Sequence, residues 1–354
     1  MLSKQQKRRK GILTALFVAV NVLIIAVTAV NEFGNSETAA ELSEVKLSWW
    51  MLIPATLCFM LAIFANVLKY VLLVRESSRV KIKWRENWKL SWRTLMLGRY
   101  YDSVTPGSIG GQPFQIYFMR KHSDLEAGHA TSIPIFAMIA SQTGFLIVAF
   151  CCFVSGEVFR ENPALLLTSV LGLIFYAFWP VMVAGTIFFP KATSRFLQFG
   201  VKVLARVRIV KHRTKTLQKI ENEVADYAKS VRMFLKNKWL SVAIISLSVV
   251  YNVAIVVIPY FVLKTFGGDM EFFRCVATTV AVTAAVYFVP TPGNAGAAEG
   301  TFYAVFSSLS TGYVFWAMLI WRLYTYYSYI IIGPLIYLKM HMESRTHKNK
   351  KGVV

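Results

Sequence analysis

Acidic residues are scarce in this 354-residue chain: 18 Asp and Glu stand against 39 Lys and Arg. Cysteine is scarce as well. Cys58, Cys151, Cys152 and Cys275 have no metal-ligand spacing, and two of them are adjacent. They read as small apolar residues of buried helices, so no metal site or other cofactor is expected. Charge is almost missing from five long blocks, 12–30, 48–74, 130–153, 163–189 and 239–263, whose single charged residue is Lys69. A membrane span needs about 20 mostly apolar residues, and each block is near or above that length. A soluble fold of this size cannot hide five such helices in one core. A soluble enzyme is thereby excluded, and an all-α integral membrane protein is expected.

What is present agrees. The chain is 56% hydrophobic with a mean hydropathy of +0.50, above the roughly 45–50% apolar content of ordinary soluble domains. The net charge of +21 is not a nucleic-acid signal, because of where it lies. Segments 1–11, 75–93, 119–129, 190–238 and 339–354 hold 32 Lys/Arg and 8 Asp/Glu, whereas 31–47, 154–162 and 268–274 hold 3 and 8. The two groups fall on opposite sides if the chain crosses at each long block. Basic loops stay cytoplasmic, which puts both termini inside a cell-membrane protein and suits an anionic lipid surface. The basic start followed by an apolar run reads as a retained anchor and not as a cleaved signal.

Six segments read as full spans: 12–30, 48–74, 130–153, 163–189, 239–264 and 312–338. Two others are broken. Segment 94–118 has basic sequence on both sides and contains Thr105-Pro106-Gly107 and Gly110-Gly111. Segment 275–307 breaks at Thr291-Pro292-Gly293 and Gly296. Pro and Gly weaken a helix interior, and broken backbone survives at membrane depth only within protein or beside water. Both segments are expected to be re-entrant hairpins; the alternative is that 275–307 holds a seventh and an eighth span with a loop at 291–299, eight spans in all. Segment 190–238 is expected to be a cytoplasmic connector. Leu217, Ile220, Val224, Tyr227, Val231 and Phe234 recur there at helical spacing. Such a helix lies on the bilayer surface or packs on the protein's own cytoplasmic ends.

The two breaks share a sequence. Thr105-Pro106-Gly107-Ser108-Ile109-Gly110 and Thr291-Pro292-Gly293-Asn294-Ala295-Gly296 are identical at four of six positions. One hairpin enters from inside and the other from outside. This is the signature of inverted repeats, here about 48–189 and 239–340 of one polytopic domain, 1–354, whose broken helices meet at a midplane substrate site. Thr followed by Pro is a favourable helix start, so each motif is expected to begin a half-helix. Gly107 and Gly293 would then leave first-turn N–H groups open to a phosphate. The glycines equally suit close helix packing.

Intramembrane charge narrows the site further. Outside the loops lie only Lys69, Arg99, Lys264 and Arg322, with Asp102 and Glu299. Lys69 and Lys264 are near span ends and are expected to snorkel. The other four are functional candidates. Pairing of Arg99 with Asp102, and of Arg322 with Glu299, would alternatively serve the fold alone. The candidate substrate site is therefore Arg99, Asp102, Thr105, Gly107, Gly110, Gly111, Thr291, Gly293, Gly296, Glu299 and Arg322.

Pro106-Gly107-x-x-Gly110-Gly111 with Arg120-Lys121 resembles the first motif of the flippase-like membrane domain of lysylphosphatidylglycerol synthases, the multiple peptide resistance factor proteins. Pro290-x-Pro292-Gly293-x-x-Gly296-x-x-Glu299 resembles the second, and Arg322 corresponds to an Arg of the last spans. Gln112-Pro113 departs from the pattern, many members having a more polar, often acidic, residue there. The resemblance implies a lipid translocase acting on an anionic or aminoacylated phospholipid. It also leaves open a phosphatidylglycerol lysyltransferase using charged tRNA, and a membrane scaffold for a separate synthase. A short basic tail after the last span leaves no room for a transferase domain within these residues. His122 and His129 share a loop but have no paired acid or cysteine to complete a catalytic set. A homo-oligomer is compatible with the sequence. If the charge pattern sets the topology, cysteines placed at Lys215 and Lys350 will stay unlabelled by an impermeant maleimide in whole cells; labelling of either reverses the assignment.

Overall fold

The computed structural model describes residues 45–78, 82–108, 110–123, 127–154, 163–189, 234–287, 289–309 and 312–351, with a few isolated positions besides. The expected span 12–30, apart from Val30, and nearly all of the connector 190–238 lie outside the described residues. Ten helices follow in order among them: α1 Leu52–Ser77, α2 Trp84–Val104, α3 Gly111–His122, α4 Ala127–Val154, α5 Pro163–Phe188, α6 Lys238–Thr265, α7 Phe272–Val286, α8 Ala297–Phe306, α9 Val314–Arg322 and α10 Ser328–Lys351. A π-helical turn, Leu323–Tyr327, joins the last two. Among the described residues there is no β-strand. One isolated antiparallel bridge pairs Pro106 with Pro292.

Among the described residues, four helices are long and apolar enough to cross a membrane: Trp49–Ser77, Gly128–Phe153, Pro163–Met182 and Lys238–Thr265. They are α1, α4, α5 and α6 with small adjustments at their ends. The protein is thus an all-α multi-pass membrane protein. Their outward faces are what lipid requires. Ile53, Leu57, Met60, Leu61 and Phe64 form an exposed apolar stripe on α1, and Leu167, Leu171, Ile174, Phe175 and Phe178 form one on α5. Water would make such contiguous apolar surface unfavourable. The last expected span, 312–338, is helical but interrupted by the π turn.

The broken segments are short where a span would be long. At 1.5 Å per residue, α3, α7 and α8, with 12, 15 and 10 residues, reach only about 18, 22 and 15 Å against a hydrocarbon core of about 30 Å. Helix α2 has 21 residues, but six of them are charged. These lengths agree with hairpins better than with separate crossings. The element order also recurs. A long helix, a helix, a Thr-Pro-Gly break, a short helix and another long helix occur as α1–α4 and again as α6–α10.

The core lies where these two sets pack together. α1 packs against α6 along its length, α6 also against α4, α7 against α5, and α10 against α2. Small residues permit the closest approaches. Gly172 of α5 faces the Ala284 carbonyl of α7, and Ser169 donates to the Ala281 carbonyl at 3.0 Å. At the basic end of α2, Glu343 of α10 accepts from Arg93 at 2.7 Å and Lys89 at 3.3 Å. The Arg93 hydrogen bond holds that carboxyl below the usual carboxylate range. A Cβ added at Gly172 would collide with the Ala284 carbonyl oxygen. Gly172→Leu is accordingly expected to cost about 1–3 kcal/mol by overpacking, visible as a lower melting temperature in detergent, whereas Leu171→Ala on the exposed face leaves it nearly unchanged.

Candidate functional site

The Thr-Pro-Gly segments build the same turn twice. Pro at the second position and Gly at the third, with φ positive, is the type II pattern. Ser108 N donates to Thr105 O at 3.2 Å and Asn294 N to Thr291 O at 3.1 Å. Gly107 and Gly293 have φ of 65° and 59°, and the following Ser108 and Asn294 have 52° and 55°. A left-handed non-glycine residue costs roughly 1–2 kcal/mol, yet the conformation occurs at the corresponding residue of both breaks. The two turns touch: Pro106 pairs with Pro292, and Gly107 N donates to Thr291 O at 3.3 Å.

This corrects the expectation that each Thr starts a half-helix. Thr105 ends α2 with extended backbone, φ −111° and ψ 141°, and α3 begins only at Gly111. The turn chemistry of Pro-Gly overrides the capping preference of Thr. Gly107 does not offer an open N–H either, since that group already bonds across the break. Thr105 has another use: its Oγ1 donates to Tyr101 O at 2.7 Å and accepts from Gly110 N at 2.9 Å. Thr291 Oγ1 is buried with no hydrogen-bond partner among the described residues.

The carboxylates act where the half-helices restart. Asp102 Oδ1 accepts from Gly111 N at 2.8 Å, at the start of α3. Glu299 Oε2 accepts from Gly296 N at 2.6 Å, at the start of α8, where Gly296 has φ 85°. A negative group at a helix N-terminus meets orphan N–H groups and the positive end of the helix dipole. Gly110 and Gly111 are needed for the first of these caps. A Cβ at Gly110 would meet Thr105, and one at Gly111 would meet the Asp102 carboxylate.

The two halves then diverge. Arg322 Nη2 forms a 2.8 Å ion pair with Glu299 Oε2 and donates to Asn294 O at 3.3 Å. Both side chains are buried, at 6% and 1% exposure. Arg322 also lies 5.1 Å from the Tyr326 ring, and the Tyr326 hydroxyl donates to Ser103 O on α2 at 3.3 Å. So Arg322, α8, the second break and the end of α2 are tied together. Arg99 does not repeat this pairing. Its guanidinium makes no ion pair among the described residues and sits 5.4 and 5.5 Å from the rings of Tyr251 and Tyr329. Asp102 lies within its electrostatic reach without contact.

Lys69 is the residue that sequence reasoning placed elsewhere. It is 1% exposed and does not snorkel. Its ammonium donates to Ser141 Oγ of α4 and to Ser248 Oγ of α6. Lys264, in contrast, remains partly exposed near the end of α6, with its ammonium 5.9 Å from the Tyr260 ring.

Helices broken in the middle, meeting back to back with capped ends and buried charges, define a polytopic membrane domain with an internal polar site. A model of the lysylphosphatidylglycerol synthase TM region matches residues 12–333, and the chain belongs to that family. No curated protein and no solved structure matches it.

Removing one member of a buried ion pair strands the other. Glu299→Gln is expected to destabilise the protein by about 3–5 kcal/mol in unfolding measurements on micelles. Glu299→Leu combined with Arg322→Met should recover much of that loss; failure to recover would show that the pair is not a unit.

Proposed function

We propose that the chain is a lipid translocase of the cell membrane, moving a phospholipid, such as an aminoacylated phosphatidylglycerol, between leaflets. The observation that carries this reading is the contact of the two breaks, Pro106 against Pro292, with the buried Glu299–Arg322 pair beside the second and Asp102 capping α3 beside the first. Membrane helices are interrupted where the interruption lines a substrate path, and repeated interruptions that meet are the pattern of alternating access. The recurring element order and the antiparallel bridge support an inverted relation between α1–α4 and α6–α10, with basic ends and termini on the cytoplasmic side.

In this mechanism the breaks form a thin barrier between two half-paths. A head group entering beside α2 meets Arg99 and the partly exposed Asp102. The Glu299–Arg322 pair holds the second break in register while the first one moves. Aromatic rings beside the path, among them Tyr251, Tyr326 and Tyr329, provide polarisable surface for a cationic or partly dehydrated head group. Membership of a family named for lysylphosphatidylglycerol synthesis supports a phospholipid substrate.

Leaflet exchange of a fluorescent phosphatidylglycerol in proteoliposomes tests this, with lysyl transfer from charged tRNA measured in parallel. Exchange above protein-free vesicles supports the proposal; transfer without exchange defeats it. Facing residues of a non-hydrogen-bonded antiparallel pair lie about 4.5 Å apart at Cα, within disulfide range. A Pro106→Cys, Pro292→Cys variant should therefore lose exchange when oxidised and regain it on reduction.

A further inference from the structure

The membrane interior holds a second charged cluster that the capping scheme does not use. Lys69 of α1 and Arg99 of α2 flank one ring, that of Tyr251 on α6, with the ammonium 6.0 Å and the guanidinium 5.4 Å from its centroid. They lie within electrostatic reach of each other. Neither has a carboxylate at ion-pair distance among the described residues, and Asp102, within electrostatic reach of Arg99, has its Oδ1 engaged by Gly111 N. In the second half the buried arginine, Arg322, sits on α9 after the break and is paired with Glu299.

Like charges this close repel, Lys69 is buried with no carboxylate beside it among the described residues, and Arg99 has Asp102 within electrostatic reach but not in contact. Their donors are also under-used. Lys69 has three N–H groups and meets two serine hydroxyls, and Arg99 has five with no acceptor among the described residues. The surroundings are polar: Asn252 donates to Ser141 O at 3.1 Å, and Tyr70 donates to Gln115 at 3.0 Å. Arg99, Asp102 and Ser141 are each partly exposed. An anion with several free oxygens would satisfy both cations at once, and guanidinium groups hold such oxygens bidentately.

We propose that Lys69 and Arg99, with the hydroxyls of Ser141 and Ser248, form one intramembrane seat for a phosphate group, rejecting neutral lipids that lack it. The seat deepens the translocase reading and rests on it for the expectation of a lipid head group.

The test uses the full chain in neutral detergent and follows its melting temperature. The titrants are short-chain phosphatidylglycerol, inorganic phosphate and short-chain diacylglycerol, which carries no phosphate. Phosphatidylglycerol should stabilise the protein and diacylglycerol should not. Stabilisation by inorganic phosphate alone at similar concentration would assign the seat to the free ion; stabilisation only by the lipid would assign it to a head group. Lys69→Met and Arg99→Gln should each weaken binding by about tenfold or more, as loss of a charged hydrogen bond implies. Lys69→Met should also melt no lower than the parent without ligand, because an uncompensated cation has been removed. A lysine that merely braces the fold gives the reverse, a lower melting temperature with unchanged affinity. Arg99→Gln, at a partly exposed position, keeps the test valid if Lys69→Met fails to fold. Unchanged affinity in the folded variants, or equal stabilisation by diacylglycerol, overturns the proposal. Binding that needs Lys69 and Arg99 without leaflet exchange would defeat the translocase reading and leave the seat standing. Exchange at the parental rate in both variants would defeat the seat and leave the translocase.

Discussion

A peptide group inside a bilayer has no water to bond, and the turns and caps of this site follow from that. An unbroken helix solves the problem internally. Once a helix is interrupted, the freed N–H and C=O groups must find partners within the protein. Here the two interruptions use each other, through the Gly107–Thr291 hydrogen bond, and their own side chains, through Thr105, Asp102 and Glu299. Proline suits the contact because its missing N–H leaves nothing to satisfy. The charged residues of the interior are in part the cost of breaking helices there.

The halves solve one problem with unequal means. Each puts a carboxylate on the first N–H groups of its second short helix. In the second half an arginine completes the carboxylate, and the pair is sealed from solvent. In the first half the arginine one turn before Asp102 stays apart, between two tyrosine rings and next to a buried lysine. Structural duty and excess positive charge are therefore separated. The second break has its buried arginine balanced by Glu299, and beside the first lie two cations without an ion pair among the described residues.

Much of this was legible in the residues. The long uncharged blocks gave α1, α4, α5 and α6 directly, because hydropathy is a property of each segment alone. The breaks were visible because Pro and Gly act locally, and the repeated Thr-Pro-Gly pointed to turns that do meet. Two readings failed for the same reason. Thr105 looked like a helix start, but the type II turn and the distant Gly110 N–H decide its role. Lys69 looked like a snorkelling residue because it lies eight positions from the end of α1. Its fate depends on Ser141 and Ser248, on two other helices, and no count along α1 reveals them. The pairing of Arg322 with Glu299, and the absence of a matching pair at Arg99, likewise required knowing which neighbours approach.

The proline bridge also bears on how easily the protein deforms. In an antiparallel ladder, a non-hydrogen-bonded pair leaves both of its N–H groups outside the pairing, so two prolines can face each other without weakening the ladder. The seam between the breaks is then held by a single backbone hydrogen bond of 3.3 Å, together with the Tyr326 hydroxyl bond to Ser103 of the same length. Compared with the helix–helix packing around it, that is a perforated line in a stiff sheet. The packing of α1 on α6 and of α10 on α2 carries the hold between the two halves, so the sparsely bonded breaks are the place where the chain can part locally without the halves separating.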